Sequence, residues 1–555
     1  MKQFLQHIVI LSLLILISSC GVKKSLTDIP DISGIQQIDT TRIIHNENFY
    51  TLNNNQLHKN KHGLWELYLE GTPLARGIAA GSLTRELMKL QEDAFLGKIE
   101  ELVPSERYRN FLSKIIAWYN RKLYLHVPEE YKKEIYGVSR YASDDYNNFA
   151  TPYVRMLYAH GAHDIGHALQ DLMLVGCTSF ATWGKKTTDG QLLIGRNFDF
   201  YAGDEFAKEK LIMFVNPDRG YKFMSYGWAG MMGVLSGMNT EGITVTINAS
   251  ASKVPTIAKT PISLLSREIL QYASTIEEAI DIAKKRDVFV SESIMIGSAK
   301  DKKAVLIEVA PDNFGVYEVA NSNQLVCANH FQSESYHRDK RNLKAIKEGH
   351  SLYRYQRMTE LVSENNQLDP EKAVAILRNR EGLEDKNIGY GNEKALNQLL
   401  AHHGIVFKPE ELKVWVSTNP YQMGTFVAYD LNTVFKKLEI TQKEVVIASE
   451  ALNIPEDPFI HTKEYTNYEK FRMIRSKIKE ASKTRQIIPD DELKEFKTLN
   501  PDYWATYFVL GEYHYTQKEY EKAFSAFVEG EKKEITTIPD QEKLKKYIRK
   551  CKRKM

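Results

Sequence analysis

Hydrophobic patterning changes character twice along the chain. Over residues 61–176 apolar positions recur at helical spacing, as in Leu83, Leu87 and Leu90 and in Phe111, Ile115, Ile116 and Tyr119, which predicts a mostly helical segment. From Cys177 onward short alternating runs take over, punctuated by Asp189-Gly190, Asp218-Arg219-Gly220, Glu241-Gly242 and Asp312-Asn313-Phe314-Gly315, the residue types that tight turns need. Two helices interrupt these strands, one over Ser263 to Tyr272 and one opened by Thr275-Ile276-Glu277-Glu278, a capping box. Residues 456–555 return to helical spacing, and Tyr507, Leu510-Gly511, Tyr520, Ala523 and Phe527 match the tetratricopeptide pattern. One such repeat cannot bury its own face and about three are needed, so a docked helical appendage is expected ahead of a peptide-binding array. Strands, then helices, then strands again read as an α+β fold.

A different signal stands at the start. Met1-Lys2 precedes an apolar run from Ile8 to Ile17 and then Ser18-Ser19-Cys20-Gly21. The run is too short to span a bilayer comfortably and reads as a secretory signal. It resembles a bacterial lipoprotein signal with Cys20 as the lipidated residue, which implies an exported, membrane-anchored protein. The expected order is therefore a signal (1–20), a polar spacer (21–60), a helical prosegment (61–176), a mixed core (177–455) and a helical region (456–555).

At 555 residues the chain has room for about three or four domains. With 74 basic against 71 acidic residues and a net charge of +3, nothing calls for a nucleic-acid partner. The basic stretch Lys543 to Lys554 reads first as a solvated helix end. Four cysteines, Cys20, Cys177, Cys327 and Cys551, leave no even-numbered disulfide framework once one is lipidated and one catalytic. Cys327, in an apolar run, reads as a buried strand residue.

The chemistry concentrates in Gly176-Cys177-Thr178-Ser179-Phe180 and in Gly195-Arg196-Asn197-Phe198-Asp199. Cutting before Cys177 would place a thiol and a free α-amine, whose pKa lies near 7.7–8.0, on one residue, so nucleophile and base need no separate histidine. Glycine before the cysteine tolerates the backbone geometry of an attack on the upstream carbonyl.

These motifs resemble the N-terminal-nucleophile hydrolases, in the cysteine branch that holds choloylglycine hydrolases, acid ceramidase-like amidases and, closest, the penicillin acyltransferase (peptidase C45) family. The resemblance runs from Leu69-Glu70-Gly71 and Arg76-Gly77 through Met238 to Asn248, Ala328-Asn329-His330-Phe331 and Ser351 to Arg357, ending at Phe426 to Leu431. It implies an αββα sandwich, cleavage between Gly176 and Cys177, and a thioester-forming amidase or acyltransferase without metal or cofactor. Its site residues map to Cys177, Arg196 beside the thiol, Asp199 orienting the amine, Asn248 and Asn329 as amide stations for the oxyanion, and Arg354, with Arg357 competing for that last place. The substrate implied is a small acyl amide, fatty-acyl first, with β-lactam side chains or conjugated bile acids behind it. The apolar run Tyr226 to Met232 is a candidate acyl-chain lining.

Competing readings use the histidines. His160, His163 and His167 share a helical face, and His163-Asp164-x-x-His167 mimics a zinc spacing. The usual Glu is Asp and no further ligand is evident, so a plain helix before the cleavage point is preferred. Cys177 with His330 could form a papain-like dyad, but the cysteine's local signature is wrong for it. A lipid-anchored scaffold, with a degenerate core presenting the C-terminal helices to a protein partner, is the alternative outside enzymology.

Overall fold

The computed structural model describes residues 21–34, 38–161, 176–253, 255, 257–440 and 443–555. The strands are β1 (Ile43–Asn46), β2 (Phe49–Leu52), β3 (Asn55–Lys59), β4 (Trp65–Gly71), β5 (Thr178–Thr182), β6 (Leu193–Phe198), β7 (Leu211–Pro217), β8 (Phe223–Gly227) and β9 (Ser236–Asn239). They continue as β10 (Ile243–Ala249), β11 (Glu292–Ser298), β12 (Lys303–Ala310), β13 (Asn313–Tyr317), β14 (Gln324–Cys327), β15 (His403–Lys408), β16 (Lys413–Ser417) and β17 (Phe426–Asp430). An 11-stranded sheet runs β1-β2-β3-β4-β7-β8-β9-β10-β11-β12-β13, and a 6-stranded sheet runs β14-β5-β6-β15-β16-β17. Neighbours are antiparallel except β4 and β7, which are parallel.

Alternation along the strands stacks these sheets. In β10, Ile243, Val245 and Ile247 face the helices Pro73–Leu102 and Ile262–Tyr272 in one core. Thr244, Thr246 and Asn248 point the other way, because successive side chains leave a strand on opposite faces. Between the sheets, Ile194, Phe214, Met295, Leu306, Phe407 and Val416 form a second core. The outer face of the small sheet packs Phe180, Val406 and Trp415 on Met358 and Val374, from the helices Ser351–Glu364 and Pro370–Leu377. Each fully buried side chain of this kind contributes roughly 1.5–3 kcal/mol. Helices, sheet, sheet and helices follow in that order, so the fold is α+β with the expected four-layer arrangement.

The segment before Cys177 departs from expectation. Residues 43–71, read as spacer and helical prosegment, form β1 to β4, and β4 joins the main sheet beside β7. Trp65-Glu66-Leu67-Tyr68-Leu69 is buried on both faces, the condition under which period-2 alternation disappears from a strand. Helices do follow, and Gly77 and Gly137 let two of them touch: a Cβ on Gly77 would lie 2.0 Å from the Glu134 carbonyl oxygen. The stripe at Phe111, Ile115 and Ile116 is helical over Glu106–Tyr119 but exposed rather than buried. Of the capping box, Thr275 accepts from the Glu278 amide, while Glu278 turns to Ser274. Gly190 and Gly242 take φ of +76° and +77° in their predicted turns, whereas Gly315 lies inside β13.

Five helices from Lys463 to Lys552 share one core at the C-terminus. They dock on the preceding part through Asn387 to Asp502 and Lys394 to Glu534. Among the described residues no helix is long and apolar enough to cross a membrane.

Candidate active site

Cys177 stands one residue before β5, and the β5–β6 pairing sets Ser179 opposite Arg196. Side chains two apart share a face, so Cys177, Ser179 and Arg196 all point between the sheets. The Cys177 Sγ lies 3.7 Å from Nη2 of Arg196 and accepts from the Asp199 backbone amide. Arg196 is itself fully buried; it donates to the carbonyls of Leu235 and Ile247 and to Ser236 Oγ, and its guanidinium lies over the Phe198 ring.

Burial dominates the electrostatics. It pushes the Cys177 thiol up to about 11, against the pull of Arg196. It pushes the Asp199 carboxyl up to about 7, against Arg354 and Arg196. In the uncut chain the thiol is therefore protonated at neutral pH, and the group beside it that titrates near neutrality is Asp199. Glu292, at the start of β11, is also fully buried, and its charge bears on both Cys177 and Arg196.

Arg354, from the helix Ser351–Glu364, reaches the other side of the cysteine backbone. Its Nη1 donates to the carbonyl oxygens of Gly176 (2.9 Å) and Cys177 (2.8 Å) and to Thr178 Oγ1 (2.6 Å). Its Nη2 donates to Asn329 Oδ1 at 2.6 Å. Arg357 instead pairs with Glu360 and Asp385, so the geometry separates the two arginines that the sequence left open.

The two asparagines differ. Asn248 accepts from Ser179 Oγ at 2.8 Å, and its Nδ2 makes only long contacts, 3.5 and 3.4 Å, to the Cys327 and Ala328 carbonyls. Its amide is thus available to a better acceptor. Asn329 is committed at both ends, donating to Ala249 O at 2.8 Å while accepting from Arg354. Its carbonyl oxygen holds Arg354 beside the cysteine, while one of its two amide protons goes to Ala249.

His330 is bound to Ser351 Oγ at 2.7 Å, and burial, then Arg354, lowers it to about 4. It is neutral and turned to the helix, which does not make the papain-like dyad. His160 bonds to Met156 O and to the Met232 amide. His163, His167 and Cys20 lie outside the described residues, so the zinc and lipidation readings are not addressed by this geometry. Cys327 is buried at the end of β14, as expected.

Motif reading missed Gln398, whose Nε2 donates to the Gly176 carbonyl oxygen (3.0 Å) and to Asp199 Oδ2 (3.2 Å). It lies in a loop without a chemical signature, and only the fold brings it to the cysteine. Glu292 was missed for the same reason, being one polar residue at the edge of an apolar strand.

Several relatives share parts of this chain. An uncharacterized protein of Archaeoglobus fulgidus is 25% identical over 400 residues, which covers 64% of this chain and 63% of that protein. Protein dcd1B of Dictyostelium discoideum is 23% identical, covering 45% and 51%. An N-acylethanolamine-hydrolyzing acid amidase of Caenorhabditis elegans is 24% identical, covering 35% and 55%. The chain thus spans between 51% and 63% of the lengths of these curated relatives. Among solved structures, the Caenorhabditis elegans ortholog of that amidase aligns at 20% identity and TM-score 0.30, over 42% of this chain and 93% of its own. A mutant conjugated bile acid hydrolase of Clostridium perfringens aligns at 14% identity and TM-score 0.33, over 46% and 93%. Residues 185–420, which carry Arg196, Asp199, Asn248, Asn329 and Arg354 and begin just after Cys177, match the family described as acyl-coenzyme A:6-aminopenicillanic acid acyl-transferase.

Proposed function

We propose that this protein is an N-terminal-cysteine acyl-amide hydrolase that makes its own nucleophile by cutting the Gly176–Cys177 bond. One observation carries the reading: the Cys177 thiol lies between the Arg196 guanidinium and the Asp199 amide while the adjoining Gly176 carbonyl accepts from Arg354. The scaffold alternative has no comparable observation behind it. A chain kept only for display has no need of four buried ionisable groups, Arg196, Asp199, Glu292 and Arg354, around one thiol.

In the proposed cycle the freed Cys177 α-amine takes the thiol proton and the thiolate attacks the substrate carbonyl. Asn248 Nδ2 and backbone amides receive the oxyanion. The amide C–N bond breaks, the leaving amine takes the proton held by the α-amine, and a thioester remains on Sγ. Water then attacks the thioester, giving up its proton to the α-amine, and releases the acid; an acceptor amine in its place would make the outcome acyl transfer.

Fatty-acyl amides are the favoured substrate class. Phe198, Phe200 and Trp228 stack beside Arg196 with Phe206 edge-on to Phe200 and Trp228, an apolar wall next to a polar reacting centre. The nematode relative, an N-acylethanolamine-hydrolyzing acid amidase, supports the same class.

Anchoring through Cys20 belongs to the same proposal. Gly21, the next residue, lies within 3.6 Å (for an ideal Cβ) of the Arg121 side chain, and Arg121 stacks on Trp118 at the end of the exposed apolar helix. Labelling with a radioactive fatty acid, lost in Cys20→Ala, tests the anchoring.

Intact mass and N-terminal sequencing test the main reading. Two fragments are expected, the larger beginning at Cys177, and Cys177→Ala should stay whole. A fully active enzyme that remains one uncut chain overturns it.

A further inference from the structure

In the uncut chain the Gly176 carbonyl, the group that a Cys177 attack must convert to an oxyanion, already holds two side-chain donors. One is Arg354 Nη1 at 2.9 Å and the other is Gln398 Nε2 at 3.0 Å. Gln398 is buried, and its second amide proton is directed to Asp199 Oδ2 at 3.2 Å. One side-chain amide thus bridges the carbonyl to be cut and the buried carboxyl beside the thiol.

The loop around Gln398 is pinned to hold that position. Asn397 donates its backbone amide to the Asn379 carbonyl and its Oδ1 accepts from the Leu399 amide, with Leu399 at φ +53°. Three residues on, the His402 amide binds the Phe198 carbonyl, tying the loop to the strand that carries Arg196. The glycine before the cysteine gains a second reason from the same contact. A Cβ on Gly176 would stand 2.7 Å from Gln398 Nε2, so any larger residue must push the amide off the carbonyl.

Building on the self-processing reading, we propose that Gln398 is an oxyanion donor for self-cleavage, acting with Arg354 on the Gly176 carbonyl. Asn248, in contrast, accepts from Ser179 and reaches only Cys327 and Ala328 at long range, with no contact to Gly176 among its hydrogen bonds. Maturation and turnover then use different side-chain donors. In the maturation step the Sγ–C bond to Gly176 forms and the thiol proton passes to the Cys177 nitrogen as the C–N bond breaks. Water hydrolyses the resulting thioester, leaving a Gly176 carboxylate, a free thiol and a free α-amine. The oxyanion exists only while Gly176 is tetrahedral, so donors already aimed at the ground-state oxygen need little rearrangement.

The test follows the appearance of the Cys177 fragment from freshly made full-length chain on a denaturing gel. Gln398→Met keeps length and bulk but has no donor, and should slow cleavage on the order of 10²-fold. Its fold is checked by the melting temperature of Cys177→Ala with and without Gln398→Met. Gly176→Ala, which keeps Gln398 but displaces it, should slow cleavage as well and reads the same contact if Gln398→Met does not fold. Wild-type cleavage rates in either folded variant overturn the role of Gln398 while leaving self-processing intact. A wild-type chain that never cuts removes self-processing itself, and the role of Gln398 with it.

Discussion

The guanidinium of Arg354 donates from a single nitrogen to the Gly176 carbonyl oxygen at 2.9 Å and to that of Cys177 at 2.8 Å, bracketing the peptide bond proposed to be cut. Arg357, one helical turn later, faces Glu360 and Asp385 instead. A cation held against the carbonyl polarises it and stabilises the charge that attack creates.

Replacing the two arginines should therefore give opposite results. Arg354→Ala is expected to block or severely slow appearance of the Cys177 fragment, and Arg354→Lys to recover part of it, since a point charge cannot serve several acceptors as the planar fork does. Arg357→Ala should lower the melting temperature while processing continues. Gel-followed processing and thermal unfolding of the Cys177→Ala forms separate the two effects, and equal processing in both alanine variants would remove Arg354 from the site.

Asn248→Ala should reduce turnover by roughly 10² to 10³-fold, the range for losing one oxyanion donor, with little change in ground-state binding. The measurement is made on protein already bearing a free Cys177 terminus, so that processing defects do not enter. A near wild-type rate at an unchanged melting temperature would leave only backbone donors in the hole.

The raised carboxyl of Asp199 makes a pH prediction with a definite sign. Its folded pKa, about 7, stands above its ordinary value of 3.8 because of burial. Between those values the folded chain holds a proton that the unfolded chain has lost, so this group's contribution to stability falls as pH rises from about 4 to 7. Chemical unfolding of Cys177→Ala should show that loss, and adding Asp199→Asn should flatten it. Parallel stability profiles for the two proteins would contradict the raised value.

The histidine readings separate cleanly. His330 is neutral and bound to Ser351, so His330→Ala should retain substantial acyl-amide hydrolysis. Exhaustive chelation should leave processing and activity intact. A thousands-fold loss in folded His330→Ala would favour a cysteine–histidine dyad, and chelator sensitivity reversed by zinc would favour the His163 and His167 pair.

Much of this protein is legible in its residues because the relevant signals are local. Glycines in tight turns, alternation in β10 and the spacing of Arg196 and Asp199 after Cys177 are set by neighbours a few positions away. They gave the α+β class, the turns at Gly190 and Gly242 and the alternating strand that ends at Asn248. What failed depended on partners distant in sequence. β4 looks like an undifferentiated apolar run because it is covered on both faces, and its strand character comes from β7, more than a hundred residues later. The stripe Phe111, Ile115 and Ile116 has core periodicity, but periodicity fixes only which residues share a face, and the fold leaves that face uncovered. Arg354 and Arg357 are chemically alike and one turn apart, so only the helix's rotation against β5 decides which meets Cys177. Asn329 and His330 likewise received their roles from Arg354 and Ser351. Gln398 and Glu292 carry no motif at all. Each becomes part of the site because two stacked sheets bury its polar atoms beside Cys177, where long-range packing, rather than local sequence, sets distance and dielectric.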